Sequence, residues 1–311
     1  MTRSPFQATI IFLCLLVSAV AVHAQDNWDA YVARYDAGPG SVLVNMSAAH
    51  QAPKRDMPFL LITGVSCRTC TGDGFPTPRE YKRLYRLSEE VNRQLFKWSA
   101  SNPNSKAETS DRDETRRKYP MLVGTFTHQC QRLDYVYLAD TTGVRAALGN
   151  WYVKHYGRYN FYIQLQEDPE WEAYRMFLYP NESVRTFMMN NRAITHMTDA
   201  GDALSRPRFV EHLIYFDTIE DRELFIRYLG GTKYDIKDER EMHRDSLRYQ
   251  VRLARFGTVS LDEMNNQTTY LSTTAREFNG VYDGWITKLI GTKQRFRLLY
   301  NPIAEPINTA K

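Results

Sequence analysis

Residues 209–230 read FVEHLIYFDTIEDRELFIRYLG, in which a two-residue period gives way to a helical one. From Phe209 to Asp217 the residues alternate. Val210, His212, Ile214 and Phe216 fall on one face and Glu211, Leu213 and Tyr215 on the other, which is the period of a strand. Ile219–Leu229 follows as a helix, and Gly230-Gly231 breaks it. Beyond the break, Lys233–Lys237 and Leu247–Arg255 read as strands, Leu261–Phe278 as a helix and Gly280–Leu289 as a strand. The order β-α-β-β-α-β over residues 205–295 is the ferredoxin-like arrangement.

Toward the N-terminus, residues 181–204 read as a linking helix that ends around Gly201. Residues 25–180 read as a first domain, a mixed sheet packed by helices, so the chain as a whole is expected to be α+β with two domains and a tail over 296–311. Its predicted strands are Ser41–Ser47, Phe59–Val65, Met121–Thr127, Leu133–Leu138 and Phe161–Glu167. A helix opens at Thr77-Pro78 and runs to about Trp98, with Leu84, Leu87, Val91, Leu95 and Trp98 on one face. Residues 101–119 are polar, carry no apolar period and read as an exposed loop. Asp168-Pro169-Glu170-Trp171 reads as a helix start, with an N-cap acceptor, proline at the first helical position and an acidic first turn.

The first residues give the compartment. Arg3 precedes an uncharged apolar run from Ala8 to Val22 that ends in Val22-His23-Ala24, the pattern of a secretory signal peptide cleaved after Ala24. The run of about 15 residues is short of the roughly 20 that span a bilayer, and Cys14 lacks the small-residue context of a lipid-modified cysteine. The expected location is therefore the bacterial envelope, periplasmic or extracellular, with no membrane span after cleavage. The formal charge of the full chain is +4. Loss of the leader removes Arg3 and no acidic residue, which leaves +3, and so balanced a surface gives no electrostatic case for nucleic acid. With 43% hydrophobic and 13% aromatic residues, the chain can bury a core.

Two family resemblances rest on particular residues. Residues 26–180 resemble the bacterial family catalogued as domain of unknown function 695, through Trp28, Asp73-Gly74-Phe75-Pro76, Asp168-Pro169-Glu170-Trp171-Glu172-Ala173-Tyr174 and Leu178-Tyr179-Pro180. Residues 200–290 resemble the regulator of ribonuclease activity B family, through Gly201-Asp202, Pro207-Arg208, Glu211-His212, Tyr215-Phe216 and Gly280-Val281-Tyr282-Asp283-Gly284-Trp285. A known member of the second family binds and inhibits a cytoplasmic ribonuclease, so the resemblance implies a protein-binding module. The leader sets this chain in another compartment, and what the resemblance implies is therefore fold and mode of action, with the partner left open. The first family has no established activity to carry over.

Three groups of residues are candidate sites. Cys67-Arg68-Thr69-Cys70 follows one strand and His128-Gln129-Cys130 ends the next, so a right-handed crossover brings both to the same edge. A disulfide is the leading reading in an oxidising compartment, three mature cysteines allowing one bridge and one leftover thiol. Small buried side chains, and a structural zinc site on Cys67, Cys70, Cys130 and His128, are the other readings. A thioredoxin-like role needs a cysteine at a helix N-terminus, whereas Gly72, Gly74, Pro76 and Pro78 place these in a loop. His212 with Asp283 as its orienter is an alternative polar site, against which stands a histidine satisfied in the core. Tyr215, Arg248, Arg252 and Trp285 are candidate interaction residues on the sheet face that the helices of a ferredoxin-like domain leave open, Arg and aromatics being common interface anchors. The competing reading of that face is an ordinary solvated surface.

There is no glycine-rich phosphate loop, no His-Glu-x-x-His helix, no Gly-x-Ser-x-Gly elbow and no calcium-loop pattern. No catalytic residue, cofactor or resident metal is expected. The expectation is an exported non-enzymatic binding or regulatory protein with an unidentified protein partner. The alternatives are an undescribed hydrolase or thiol- or metal-dependent enzyme, and a structural envelope protein.

Overall fold

The computed structural model describes residues 27–102, 119–243, 246–291 and 298–300. The leader, most of the loop expected over 101–119 and most of the tail lie outside the described residues. The chain is α+β, with two sheets in which every ladder is antiparallel.

The second sheet is formed by β7 (Arg208–Phe216), β8 (Asp235–Glu241), β9 (Tyr249–Gly257), β10 (Gly280–Lys288) and the short β11 (Leu298–Tyr300). Their order is β11-β10-β7-β9-β8. With α4 (Ile219–Leu229) after β7 and α5 (Leu261–Glu277) after β9, this is the expected β-α-β-β-α-β unit with β11 added to one edge. Both helices start on side-chain caps: Thr218 Oγ1 accepts the Asp221 N–H and Ser260 Oγ the Glu263 N–H. Ile214, Phe216, Val251, Leu253 and Tyr282 meet Phe225, Leu229, Leu271 and Ala275 in one core. The helix α3 (Glu182–Asp199) lies against α5, where Ile194 and Met197 join Val210, Val259, Met264 and Trp285 in a second cluster.

The first sheet has the order β1-β2-β4-β5-β3-β6, from β1 (Trp28–Tyr35), β2 (Gly38–Asn45), β3 (Phe59–Ser66), β4 (Met121–His128), β5 (Gln131–Leu138) and β6 (Phe161–Glu167). Helix α1 (Pro78–Ser101) connects β3 to β4, and α2 (Val144–Tyr156) connects β5 to β6. Four of its strands and both helices thus repeat the β-α-β-β-α-β order of the second half, with the same neighbour relations. The hairpin β1-β2 extends it beyond β4. Leu84, Leu87, Val91 and Leu95 of α1 and Leu148 and Tyr152 of α2 cover one sheet face. Trp171, Tyr174 and Leu178 cover the other, together with a 3-10 turn over Met46–His50.

The expected helix start at Asp168 takes a different form. The helical turn begins only at Ala173 and is π-type, Ala173–Leu178. Asp168 caps it, its carboxylate accepting the N–H groups of Glu172 (2.8 Å) and Ala173 (3.0 Å). Trp171 adopts a positive φ of 56°, which turns its ring onto Tyr137 at 3.9 Å and aims its indole N–H at the Met57 carbonyl. The stack displaces the start that Pro169 would have made.

Candidate functional site

The cysteine edge is built by the crossover from β3 through α1 to β4. These two strands run parallel with β5 between them, so the loops at their ends meet. Cys70 and Cys130 form a disulfide, Cα atoms 5.9 Å apart. The loop is tied further by Cys67 N–H to the Cys130 carbonyl (2.6 Å) and Cys130 N–H to the Gly74 carbonyl (2.8 Å). Gly74 has a φ of 83°, and a Cβ there would meet the Gln129 backbone at 3.3 Å, so this close approach needs glycine.

Cys67 keeps a free, half-buried thiol. Burial, and after it the Glu80 carboxylate, push that thiol up to about 11, away from the thiolate form that nucleophilic or redox chemistry requires. His128 turns from the cysteines to the Pro39 carbonyl (3.0 Å) and stacks on Phe126. The four-residue zinc arrangement is therefore not assembled: two of its thiols are joined and its imidazole faces elsewhere. Among the described residues no cluster of three or more His, Cys, Asp or Glu is placed to hold a metal ion.

The His212–Asp283 pair is not assembled either. His212 lies fully buried beneath α5, with Nδ1 2.8 Å from the Tyr282 hydroxyl and Nε2 3.0 Å from Gln267 Oε1. Asp283 falls where the β7–β10 register shifts, between Tyr282 and Gly284; Trp285 stands opposite His212 in the ladder, and Tyr282, opposite Ile214, reaches the imidazole with its hydroxyl. Burial lowers the His212 pKa to about 4, leaving a neutral ring. It is a core histidine satisfied by two neutral partners.

The residues that carry the two resemblances mostly hold the fold. Asp202 and Arg208 form an ion pair at 2.8 Å with side chains 0% and 4% exposed, and Arg208 also donates to the Ala203 and Lys288 carbonyls. Trp285 donates to Asn190 of α3 at 2.8 Å, and Tyr174 to the Asn45 carbonyl at 2.7 Å. A buried network that carries no sequence motif surrounds Asp134, which accepts from Ser88 (3.1 Å) and Thr125 (2.8 Å). Burial raises its carboxyl above the usual range. It is sealed under α1 and offers no approach to a substrate.

The four candidate interaction residues divide. Trp285 is only 1% exposed and faces α3, which corrects its expected place on the open face. The bulge in β10 reverses the alternation that put it there. Tyr215 is on the open face but 8% exposed, its hydroxyl accepting from Gln250. Arg248 and Arg252 are accessible but paired, Arg248 with Glu241 at 2.6 Å and Arg252 with Glu211 at 3.5 Å and Asp238 at 3.6 Å.

The same face carries residues that the sequence reading did not single out. Phe209 and Phe256, opposite each other in the β7–β9 ladder, are 51% and 61% exposed and pack edge to face at 5.2 Å. The Lys237 ammonium sits 4.9 Å over the Phe209 ring. With Ile286 and Leu289 they line a groove of about 440 Å3 that Glu211 and Lys288 border. Among the described residues no helix packs on this face; α4 and α5 lie on the other. The signal available in the sequence was Phe209 and Phe256 at outward positions of adjacent strands, legible only once the register is known.

A comparison with curated proteins finds no match. Among solved structures, the chain is similar to a crystal structure of an unknown protein from Galdieria sulphuraria, at 11% identity over 73% of this chain and 96% of that one, with a TM-score of 0.18. The family comparisons divide the chain where its two sheets divide: residues 26–101 and 110–179 match the Family of unknown function (DUF695), and residues 188–287 match Regulator of ribonuclease activity B.

Proposed function

We propose that the chain is an exported, non-enzymatic binding or regulatory protein that docks a protein partner on the open face of its second sheet. The observation that carries this reading is the pair Phe209 and Phe256. Two large aromatic side chains, more than half exposed on a sheet face that no helix among the described residues covers, cost solvation unless something covers them. Aromatic anchors rimmed by charged groups such as Lys237 and Arg252 are the composition of a protein interface. The match of residues 188–287 to a regulator family supports the same mode of action. The disulfide and the apolar leader support placement outside the cytoplasm, and no helix among the described residues is long and apolar enough to cross a membrane. The raised Cys67 thiol and the neutral, enclosed His212 leave both candidate catalytic groups in unreactive states.

The test is affinity capture from the envelope fraction of the native source with wild-type protein and with Phe209→Ser/Phe256→Ser. One discrete species retained by the wild type and lost with the double variant is expected, while Tyr228→Ser on α4 leaves it unchanged. Equal recovery by all three proteins would contradict the proposal.

A further inference from the structure

The first domain holds a basic cavity that the binding face of the second domain does not involve. Arg68 from the loop after β3, Arg83 and Arg86 from α1, Lys154 and His155 from the last turn of α2 and Arg158 just beyond it line a space of about 490 Å3. Three separate segments of the chain thus bring their basic side chains together. Their counter-charges are few. Glu80 lies 3.7 Å from Arg83 with its side chain fully buried, and its other oxygen accepts the Arg68 N–H at 2.9 Å. Glu90 accepts the Tyr156 hydroxyl at 2.8 Å and stands 4.0 Å from Arg93. Among the described residues Arg86, Lys154 and Arg158 have no carboxylate within ion-pair distance.

Cations in the last turn of α2 complement the helix dipole, which accounts for Lys154 and His155. It does not account for Arg68, Arg83 or Arg86, which come from other elements. Gathered like charges repel and raise the free energy of the folded chain unless an anion sits among them. The Arg68 loop is also held in place, by the Cys70–Cys130 bridge, by the Arg68–Glu80 bond and by the Arg68 guanidinium lying 5.9 Å over the Tyr159 ring.

We infer that this cavity binds a small ligand carrying more than one phosphoryl group. Arginine forks take phosphate oxygens in pairs, and each phosphoryl group brings up to two negative charges, a density that suits so many cations in so small a space. The space exceeds what a single phosphate fills. The ligand chemistry is shared by a soluble phosphate ester and by a phospholipid headgroup, and the two sources are separable.

The experiment titrates sodium tripolyphosphate into the mature full chain by calorimetry at low and at physiological salt. Expected are saturable binding that weakens as salt rises and affinity at least about tenfold lower in Arg86→Gln/Arg158→Gln, two exposed positions whose loss of charged hydrogen bonds has that size. Arg227→Gln/Arg240→Gln, on the second domain, retains wild-type affinity. Unchanged melting profiles of both double variants establish that folding is intact. Orthophosphate binds at least about tenfold more weakly than tripolyphosphate. Absence of saturable binding, an equal loss in both double variants, or orthophosphate binding as tightly as tripolyphosphate would overturn the inference. Sedimentation with cardiolipin vesicles, whose headgroup carries two phosphodiester groups, gives the source. Vesicle binding lost in Arg86→Gln/Arg158→Gln supports the site with a lipid headgroup in it, and tripolyphosphate binding without vesicle binding supports it with a soluble ester.

Discussion

Replacement of His212 by glutamine should flatten the acid side of the stability profile. In the folded chain burial holds His212 near pKa 4, whereas in the unfolded chain it takes the ordinary value of 6.5. A depressed folded value means that the unfolded chain binds the proton first, so stability is complete above 6.5 and falls as pH drops from 6.5 toward 4. Each pH unit between the two values is worth about 1.4 kcal/mol. Between pH 7.5 and pH 5 the wild type should therefore lose about 2 kcal/mol through this one group, and roughly 3 kcal/mol once both states are protonated. Glutamine can still meet the Tyr282 hydroxyl or Gln267 but has no proton to gain. The assay is urea unfolding followed by circular dichroism at pH 7.5 and pH 5, wild type against His212→Gln, with His212→Asn as a second variant should glutamine pack poorly. Contributions of other titrating groups cancel in the comparison. An equal pH-dependent loss in wild type and both variants would refute a neutral, enclosed imidazole.

Three further outcomes follow from the packing. Cys70→Ser/Cys130→Ser frees a loop spanning 60 residues, whose closure constrains the unfolded chain by about 4 kcal/mol; calorimetry of the oxidised protein should show the first domain melting on the order of 10 °C higher than in the variant. Asp202→Ala strands the Arg208 guanidinium in a nearly dry site, with an expected loss of about 3–5 kcal/mol in denaturant titration, largely recovered by Asp202→Ala/Arg208→Met. With its thiol at about 11, native Cys67 should react with iodoacetamide at pH 8 about a hundredfold more slowly than in the unfolded chain; mass-resolved labelling at similar rates in both states would contradict that.

The second half of the fold was legible because each of its elements has a clean period and a clean break. Ile219–Leu229 opens on Thr218 and closes on Gly230, and Arg208 to His212 of β7 alternate in burial as the pattern predicts, while Leu213 and Tyr215 on the outward face are buried. The first half hid its equivalence to the second. Helix α2 buries only Val144, Leu148 and Tyr152, too narrow an apolar stripe to stand out, and without it the second crossover of the repeat is missing from the reading. Strand β1 escaped because both its faces stay partly wet at the sheet edge. At the candidate sites, spacing brought the cysteine loops together but could not choose the pair, since that choice depends on the turn Gly74 makes against Gln129. The misplacement of Trp285 has one cause, the register shift between Tyr282 and Gly284, which no residue pattern announces. The exposed pair Phe209 and Phe256 required the same information, because residues 47 positions apart become neighbours only through the β7–β9 register.

Docking of a partner on the open face of the second sheet is open to site-specific photocrosslinking in intact cells of the native source. A photoreactive phenylalanine analogue is placed at Phe256, at Phe209, or at Tyr228 on the helix side, where exposure is 52%. One discrete adduct is expected from positions 209 and 256 and none from 228. An adduct from 228 alone, or no adduct from either sheet position, would contradict it.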